Sequence, residues 1–242
     1  MNVLITSGGT IIPIDDVRRI TNMSSGKFGS KIATAFLKNK THTIHLHSKD
    51  GVSPFNISLN LMEKNINIQE LNDEISNKHD FWYNYRMYYS EHIFRTFDQY
   101  QTSLKSLLED HKPEITILSA AISDYGMNAT LGKISSNEDE IILRLKKLPK
   151  VINKVKEWYP ETYLVGFKLL SGSTHDDLIN AATKLEKQSN ADLIVANDLN
   201  DLKAGNHRLY LIKDGSIIKT LDRTKNLEYD LHDFIYTQVT SR

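Results

Sequence analysis

The sequence of 242 residues has no cysteine, no excess of charge of either sign and no long hydrophobic run. Without cysteine the protein has no disulfide bonds, no thiolate metal sites and no cysteine nucleophile of its own. Lysine plus arginine and aspartate plus glutamate total 30 each, and this balance argues against a nucleic-acid-binding protein.

The start of the chain and its apolar runs bear on where the protein acts. No apolar run approaches the length of roughly 18 residues that a membrane-spanning helix needs. The first residues, MNVLITSGG, lack the basic and apolar regions of a signal peptide. We therefore expect a cytoplasmic protein with no membrane partner.

Short apolar runs, typical of buried strands, alternate with amphipathic stretches that have helical spacing. The apolar or alternating runs predict strands at 2–6, 42–47, 66–71, 114–120, 140–147, 162–167 and 191–197. The amphipathic stretches predict helices at 24–39, 97–111, 176–190 and 224–240, and a shorter one between Pro149 and Trp158. Asp214 and Gly215 separate two further apolar runs and predict a late antiparallel hairpin.

Strands that alternate with helices predict an α/β fold with three layers. We expect a Rossmann-like, doubly wound, mostly parallel sheet to which the late antiparallel hairpin is added. No repeat or linker divides the chain, so 1–242 is predicted to be a single domain. Residues 50–95 are the least regular part, and we interpret them as an insertion that is either a lid or a dimer contact.

Four unusual stretches lie at or just after the carboxyl ends of predicted strands, at 7–10, 120–124, 166–167 and 197–198. Ligands of open α/β sheets bind at the carboxyl ends of the strands, because loops from neighbouring strands converge there. Four such stretches on one edge of a sheet predict a ligand site at that edge.

The stretch ITNMSSGKFG, residues 20–29, has two glycines at the entry to a predicted helix. It matches neither the dinucleotide fingerprint nor the phosphate loop of nucleotide-binding proteins. Two interpretations remain open from the spacing alone. Either Ser24 or Ser25 caps a helix whose glycines allow close packing, or the helix amides bind a phosphate.

Histidines in the strand predicted at 42–47 raise the question of a metal site. His45 and His47 share one face of that strand, whereas His42 lies on the other. A third ligand for the shared face is not evident, so we predict no metal site formed by the protein.

Several segments, taken in chain order, resemble one enzyme family, the phosphopantothenate–cysteine ligases of coenzyme A biosynthesis. The first, TSGGTIIPIDDVRRITNMSSGKFG, is long and specific; the others are shorter but correctly ordered. They occupy 6–29, 120–125, 133–134, 165–169 and 191–198. The chain is most similar to the stand-alone bacterial form, which implies a separate decarboxylase that acts on the product.

The resemblance implies a reaction in two steps. A nucleoside triphosphate accompanied by Mg²⁺ activates the carboxylate of 4'-phosphopantothenate, giving an acyl-nucleotide (an acyl-cytidylate with CTP) and pyrophosphate. The amine of L-cysteine then attacks the acyl carbon, which forms 4'-phosphopantothenoyl-L-cysteine and releases CMP.

Departures from the family leave alternatives open. Many bacterial members, which typically use CTP, have Lys-Ile-Lys-Lys where this chain has Lys-Ile-Ser-Ser at 133–136. An ATP-dependent version of the reaction, as in the eukaryotic enzymes, is one alternative. A non-catalytic nucleotide- or phosphopantothenate-binding protein is the other.

The resemblance also implies roles for single residues. Asn22, which faces the acyl group, and Lys133, on a mobile loop over the phosphates, are the expected catalytic residues. Arg18 is expected to bind the substrate phosphate from the partner subunit, which implies a homodimer. The expected nucleotide-binding residues are Gly8, Ser24, Gly26, Gly29, Phe167 and Asn197. Those expected to bind 4'-phosphopantothenate are Ala120, Ala121 and Asp124.

Overall fold

The computed structural model describes residues 1–57, 67–137, 139–222 and 226–241. The first half of the chain contains β1 (Asn2–Ser7), β2 (Ile11–Pro13), β3 (Arg19–Thr21), α1 (Lys27–Lys38), β4 (His42–Ser48), α2 (Ile68–Tyr85), β5 (Tyr89–Phe94), α3 (Phe97–His111) and β6 (Ile115–Leu118). A short 3₁₀ turn, Arg86–Tyr88, joins α2 to β5.

The second half begins with two-residue strands and ends with a helix. It contains β7 (Tyr125–Gly126), β8 (Lys146–Lys147), α4 (Ile152–Trp158), β9 (Tyr163–Leu170), α5 (His175–Ser189), β10 (Leu193–Asp198), α6 (Leu199–Lys203), β11 (Leu209–Lys213), β12 (Ser216–Leu221) and α7 (Leu227–Thr240). None of the described helices is long and apolar enough to span a bilayer.

Eight strands form the central sheet in the order β12-β11-β10-β9-β6-β1-β4-β5. The six strands from β10 to β5 are parallel, and β11 and β12 join them antiparallel. From β1 the chain moves to β4 and β5 on one side, and then returns to β6 on the other side. The strand order therefore reverses between β1 and β6, which is where open α/β sheets bind ligands. The predicted doubly wound sheet with a late hairpin is confirmed.

Helices cover both faces of the sheet. Val3 and Ile5 of β1 pack in a buried cluster with α1 and α7, whereas Leu4 packs in a second cluster with α3, α4 and α5. Both faces being covered explains why the central strands are apolar runs without alternation. Packing on both faces of the sheet therefore holds the carboxyl ends of the strands in place.

The late hairpin turns at Asp214 and Gly215, with φ of 52° and 73°. Two successive residues with positive φ are typical of the tight turn that suits twisted strands. The Glu186 carboxylate accepts hydrogen bonds from both turn amides, at 2.6 and 2.9 Å. The hairpin is thus confirmed and is also held by α5.

Two predicted strands are wrong. Of 66–71, residue 66 lies outside the described residues, and Ile68 begins α2 because the Asn67 side chain accepts from the amides of Gln69 and Glu70. An N-cap of this kind favours a helix, and here it outweighs the alternating apolar residues that predicted a strand. The lid or dimer contact at 50–95 stays a prediction, since 58–66 lie outside the described residues.

The second wrong strand is 140–147. Only Lys146 and Lys147 are in a strand there, paired with Tyr125 and Gly126. Alternation produces a strand only where a neighbour accepts its hydrogen bonds. Among the described residues, two-residue β7 is the only strand that pairs with this stretch, so most of it is irregular and exposed.

Candidate active site

The ends of β1 and β6 are joined at the point where the strand order reverses. The Ala121 amide donates to the Gly8 carbonyl at 2.8 Å, and the Thr10 amide donates to the Ala121 carbonyl at 3.2 Å. Beyond them, the Ser123 amide and hydroxyl lie 2.9 Å from the Thr10 hydroxyl. Two of the four stretches predicted to form the ligand site, 7–10 and 120–124, therefore form one continuous floor.

The stretch 22–29 lies directly against this floor. A Cβ on Gly26 would lie 2.9 Å from the Gly8 nitrogen, and one on Gly29 would lie 2.5 Å from the Ser7 Cβ. Such distances leave no room for a side chain at either position. We call residues 7–9 and 22–29 together the cradle, because close backbone packing holds its two segments.

The start of α1 corrects one prediction. Neither Ser24 nor Ser25 occupies the N-cap position: Gly26 does, with φ of 71° and no side-chain cap hydrogen bond. The Ser25 hydroxyl makes only a long contact, 3.4 Å, with the Lys27 amide. The reason is steric, because only a residue that tolerates positive φ and lacks a side chain fits against Gly8. The close-packing interpretation of the glycines is confirmed, whereas the serine cap is wrong.

The Asn22 side chain is held over the floor. Its amide group donates to the Ala121 carbonyl at 2.9 Å, and the Asn22 carbonyl accepts from the Ser24 amide at 2.9 Å. An asparagine amide has two N–H donors, so this contact uses only one. The structure thus brings together Gly8, Asn22 and Ala121, three residues that the sequence places far apart.

A buried network that the sequence analysis missed supports the floor from below. His45 Nε2 lies 2.8 Å from the Ser7 hydroxyl, and His45 Nδ1 lies 2.9 Å from the Tyr89 hydroxyl. Burial, with a smaller contribution from nearby His47, lowers the pKa of His45 to about 3. His45 is therefore neutral at pH 7, and its serine partner lies at the carboxyl end of β1. In the described part of the chain, no three His, Asp or Glu residues are grouped closely enough to hold a metal ion.

The predicted nucleotide-binding residues farther along the sheet lie on the next two strands. Phe167 is in β9 and Asn197 is in adjacent β10. The Phe167 ring meets the Phe28 ring of α1 edge-on, with centroids 6.1 Å apart, and both rings pack on the cluster under α1 and α7. This contact links the cradle to β9, in which Phe167 lies three residues before the end of the strand rather than after it.

The residues predicted to bind 4'-phosphopantothenate follow β6. Ala120 packs against the other core cluster, under α3, α4 and α5. Asp124 is exposed and forms an ion pair with Lys150, a partner that the sequence analysis did not find. The predicted nucleotide residue Phe167 and the predicted substrate residue Ala120 thus pack against opposite faces of the sheet.

Arg18 and the Lys133 loop meet through a residue absent from the sequence predictions, Asp15. Its buried carboxylate accepts from the amides of Val17 and Arg18 at 2.9 and 2.7 Å. The carboxylate also accepts from Arg18 Nη1 at 2.8 Å and from the Ile134 amide at 3.1 Å. We call residues 14–18 and 130–134 the clamp.

The environment of Asp15 favours its charged form. Burial acts to raise the pKa of this carboxyl, but the amide hydrogen bonds from Val17, Ile134 and Arg18, together with the Arg18 charge, outweigh it. The net result is a pKa below the usual value. Two signals in the sequence could have found Asp15: its i,i+3 spacing to Arg18, and its place in a turn.

The clamp and the cradle lie at opposite ends of β3. Arg18 precedes β3 and Asn22 follows it, so about 13 Å of extended chain separates them. Lys133 is exposed, next to the anchored Ile134. The structure thus brings Arg18 near the Lys133 loop, and Asn22 near Gly8 and Ala121, as two separate groups.

A family model described as "DNA/pantothenate metabolism flavoprotein C-terminal domain" matches residues 1–74 and 96–233. The chain belongs to this family. The match omits 75–95, which lies within 50–95, the least regular part of the sequence.

Two curated relatives illustrate the family. The coenzyme A biosynthesis bifunctional protein CoaBC of Thermococcus kodakarensis is 30% identical over 211 residues, covering 87% of this chain and 44% of that protein. The phosphopantothenate–cysteine ligase CAB2 of Saccharomyces cerevisiae is 27% identical over 235 residues, covering 81% and 64%. The chain thus spans less than two thirds of the length of either relative.

A solved structure supports the fold. A Cab2 mutant in complex with phosphopantothenate-cysteine superimposes with a TM-score of 0.85 at 23% identity, covering 99% of this chain and 86% of that one. The family resemblance and the predicted fold class are both confirmed.

Proposed function

We propose that the protein is a phosphopantothenate–cysteine ligase, which joins 4'-phosphopantothenate and L-cysteine into 4'-phosphopantothenoyl-L-cysteine. The observation that carries the proposal is the hydrogen bond of 2.9 Å between the Asn22 amide group and the Ala121 carbonyl. It joins the two motifs expected on either side of the acyl group, at the point where the strand order reverses. Membership of the family supports the same reaction.

The first step forms an acyl-nucleotide. A carboxylate oxygen of 4'-phosphopantothenate attacks the α-phosphorus of the nucleoside triphosphate, and the bond to pyrophosphate breaks. Negative charge increases on the phosphoryl oxygens, and positioned N–H donors and cations stabilise such charge. In the proposal the cradle amides around Gly26 lie along the phosphates, and the exposed side chain of Lys133 reaches them.

The second step forms the amide. The amine of L-cysteine attacks the acyl carbon, the C–O bond to the nucleotide breaks, and the amine loses a proton while the nucleoside monophosphate leaves. Charge develops on the acyl oxygen. In the proposal the second N–H of Asn22 donates to that oxygen, and the amide group does not act as a competing base.

We assign the nucleotide to the side of the sheet where Phe28 and Phe167 meet, with Gly8, Ser24, Gly29 and Asn197 around it. CTP is the proposed nucleotide and ATP the alternative. Mg²⁺ is proposed to enter on the triphosphate, because magnesium in such sites is held mainly by substrate phosphates with one or two carboxylates.

The substrate side is proposed to include Ala120, Ala121 and Asp124, with Arg18 of the partner subunit on the phosphate of 4'-phosphopantothenate. Arg18 Nη1 is already bonded to Asp15 and to the Ile134 carbonyl. A guanidinium has five N–H donors in a fork, so its other nitrogens can still bind two phosphate oxygens. The proposed enzyme is therefore a homodimer with two shared sites.

Subunit sharing has a direct test. Arg18→Ala and Asn22→Ala subunits, mixed and allowed to exchange, should form heterodimers with one intact site each. If half the dimers are mixed, about one quarter of all sites are intact, so activity should return to that fraction of wild type. No recovery after verified exchange would show that each site uses its own Arg18.

The test of the proposed function is pyrophosphate release measured with CTP and ATP in parallel. We expect release that requires both 4'-phosphopantothenate and Mg²⁺, and that is faster with CTP. A faster rate with ATP would assign the alternative nucleotide. Binding of nucleotide or 4'-phosphopantothenate without any release would identify a non-catalytic binding protein and contradict the ligase proposal.

A further inference from the structure

The two charged residues expected to meet phosphates, Arg18 and Lys133, lie 115 positions apart in the sequence. In the structure one carboxylate, that of Asp15, accepts hydrogen bonds from Arg18 and from the amide of Ile134, the residue after Lys133. We propose that Asp15 is a positioning residue of the ligase reaction, which sets Arg18 and the Lys133 loop in place together. This inference rests on the proposed function, because it concerns how that reaction's phosphate-binding groups are placed.

Both carboxylate oxygens of Asp15 have two donors each. Oδ1 accepts from the amides of Val17 and Arg18, within its own turn. Oδ2 accepts from Arg18 Nη1 and from the Ile134 amide, which belongs to the distant loop. One oxygen therefore shapes the turn, whereas the other joins the arginine to the loop.

The lysine loop is tied on both sides of Lys133. The Gly132 carbonyl accepts from the Asp16 amide at 3.2 Å, and the Ile134 carbonyl accepts from Arg18 Nη1 at 3.2 Å. Because its neighbours on both sides are bonded to the turn, the backbone at Lys133 has a set position while its side chain is exposed.

The chemistry at Asp15 requires a carboxylate. Four N–H donors converge on the side chain, which has no accessible surface. An asparagine of the same shape has one acceptor oxygen and one NH₂ group, so two of the four donors would face another donor. Unmatched donors of this kind are costly when buried, and the loop would move away from the turn.

A matched pair of variants tests the inference. Asp15→Asn removes the charge of the buried carboxyl, whereas Asp176→Asn makes the same change at an exposed aspartate of α5, outside the clamp and the cradle. We expect Asp15→Asn to lower kcat roughly 10- to 100-fold, because displacement of catalytic groups by about 1 Å has effects of this size. KM for L-cysteine should change little. Asp176→Asn should behave as wild type.

Amide hydrogen exchange provides a readout that does not depend on activity. In Asp15→Asn the amides of Val17, Arg18 and Ile134 should exchange faster, while β1 and β6 keep their protection. Loss of protection throughout β1 and β6 would mean that the variant is simply less folded, and it would overturn the inference.

A double-mutant cycle separates positioning from general damage. If Asp15 acts largely through Lys133, then Asp15→Asn should cost much less in kcat when Lys133 is already alanine. Fully additive effects would overturn the inference, as would wild-type kinetics for Asp15→Asn. An inactive wild-type protein would instead refute the proposed function itself, with the exchange result still reporting whether Asp15 holds the loop.

Discussion

The cradle and the clamp are built in different ways, although both belong to the candidate active site. In the cradle, Gly26 and Gly29 lie so close to β1 that no side chain fits. In the clamp, one carboxylate, that of Asp15, collects four hydrogen bonds. The cradle is thus fixed by packing against the core, whereas the clamp, which contains Arg18 and Lys133, depends on one charged group.

The largest expected effect is that of Asn22→Ala, in the cradle. We expect kcat to fall by about 10²- to 10³-fold, because removal of one donor to a developing oxyanion has that cost. Pyrophosphate release in a single turnover should persist in part, since the lost donor acts mainly in the cysteine step. Single-turnover assays of both products, with exposed Asn72→Ala as the control, check this. Normal turnover would refute the role of Asn22.

A glycine pair tests whether packing holds the cradle. Gly26 and Gly205 both have positive φ, 71° and 79°, but a Cβ on Gly205 would meet nothing within 4 Å. Gly205→Ala should lose about 1–2 kcal/mol of unfolding free energy from backbone strain alone. Gly26→Ala should lose about 2–4 kcal/mol, because overpacking adds to the strain. Equal losses in urea unfolding would contradict the packing account.

A smaller effect is expected from pH, through the histidine beneath the cradle. Burial and nearby His47 lower the pKa of His45 to about 3, so the unfolded chain binds a proton that the folded protein does not between that value and the ordinary pKa. Stability from this group is therefore present above about pH 6.5 and is lost as pH falls, by about 2 kcal/mol between pH 7 and pH 5.

The control for this prediction is His45→Gln, which can still bond to Ser7 but does not take up a proton in this range. Its unfolding free energy should fall less between pH 7 and pH 5 than that of wild type. The unfolding free energy of His45→Gln should still fall slightly as pH falls, because burial lowers the pKa of His92 as well. Identical slopes in wild type and His45→Gln would show that His45 does not titrate on unfolding.

Much of the scaffold could be predicted from local patterns. The helix predicted at 97–111 is exact, because Thr96 and Gln99 form a capping box at the start of an amphipathic stretch. The strand errors at 66–71 and 140–147 have different causes: the Asn67 N-cap starts a helix in the first stretch, whereas the second pairs only with a two-residue strand. An alternating pattern contains no information about which neighbour accepts the hydrogen bonds, and that is decided by the fold.

The candidate site, like the scaffold, could be predicted from the sequence only in part. Gly8, Asn22 and Ala121 could be proposed from a resemblance to a known family, and the structure brings them together. For Asp15, only the pairing with Arg18 three positions on could be proposed from the sequence. Its contact with the Ile134 amide could not, because that contact crosses 119 positions of the chain. Only the fold puts the hairpin that contains Arg18 beside the loop that contains Lys133.

The central claim is that the cradle activates a carboxylate as an acyl-nucleotide. Its most direct test uses 4'-phosphopantothenate labelled with ¹⁸O in the carboxylate, converted by the wild-type protein with L-cysteine, Mg²⁺ and the preferred nucleotide. The account predicts one ¹⁸O atom in the nucleoside monophosphate released, because the attacking oxygen stays on the α-phosphorus when the amide forms. Label found in inorganic phosphate, or in no phosphorus-containing product, would contradict it.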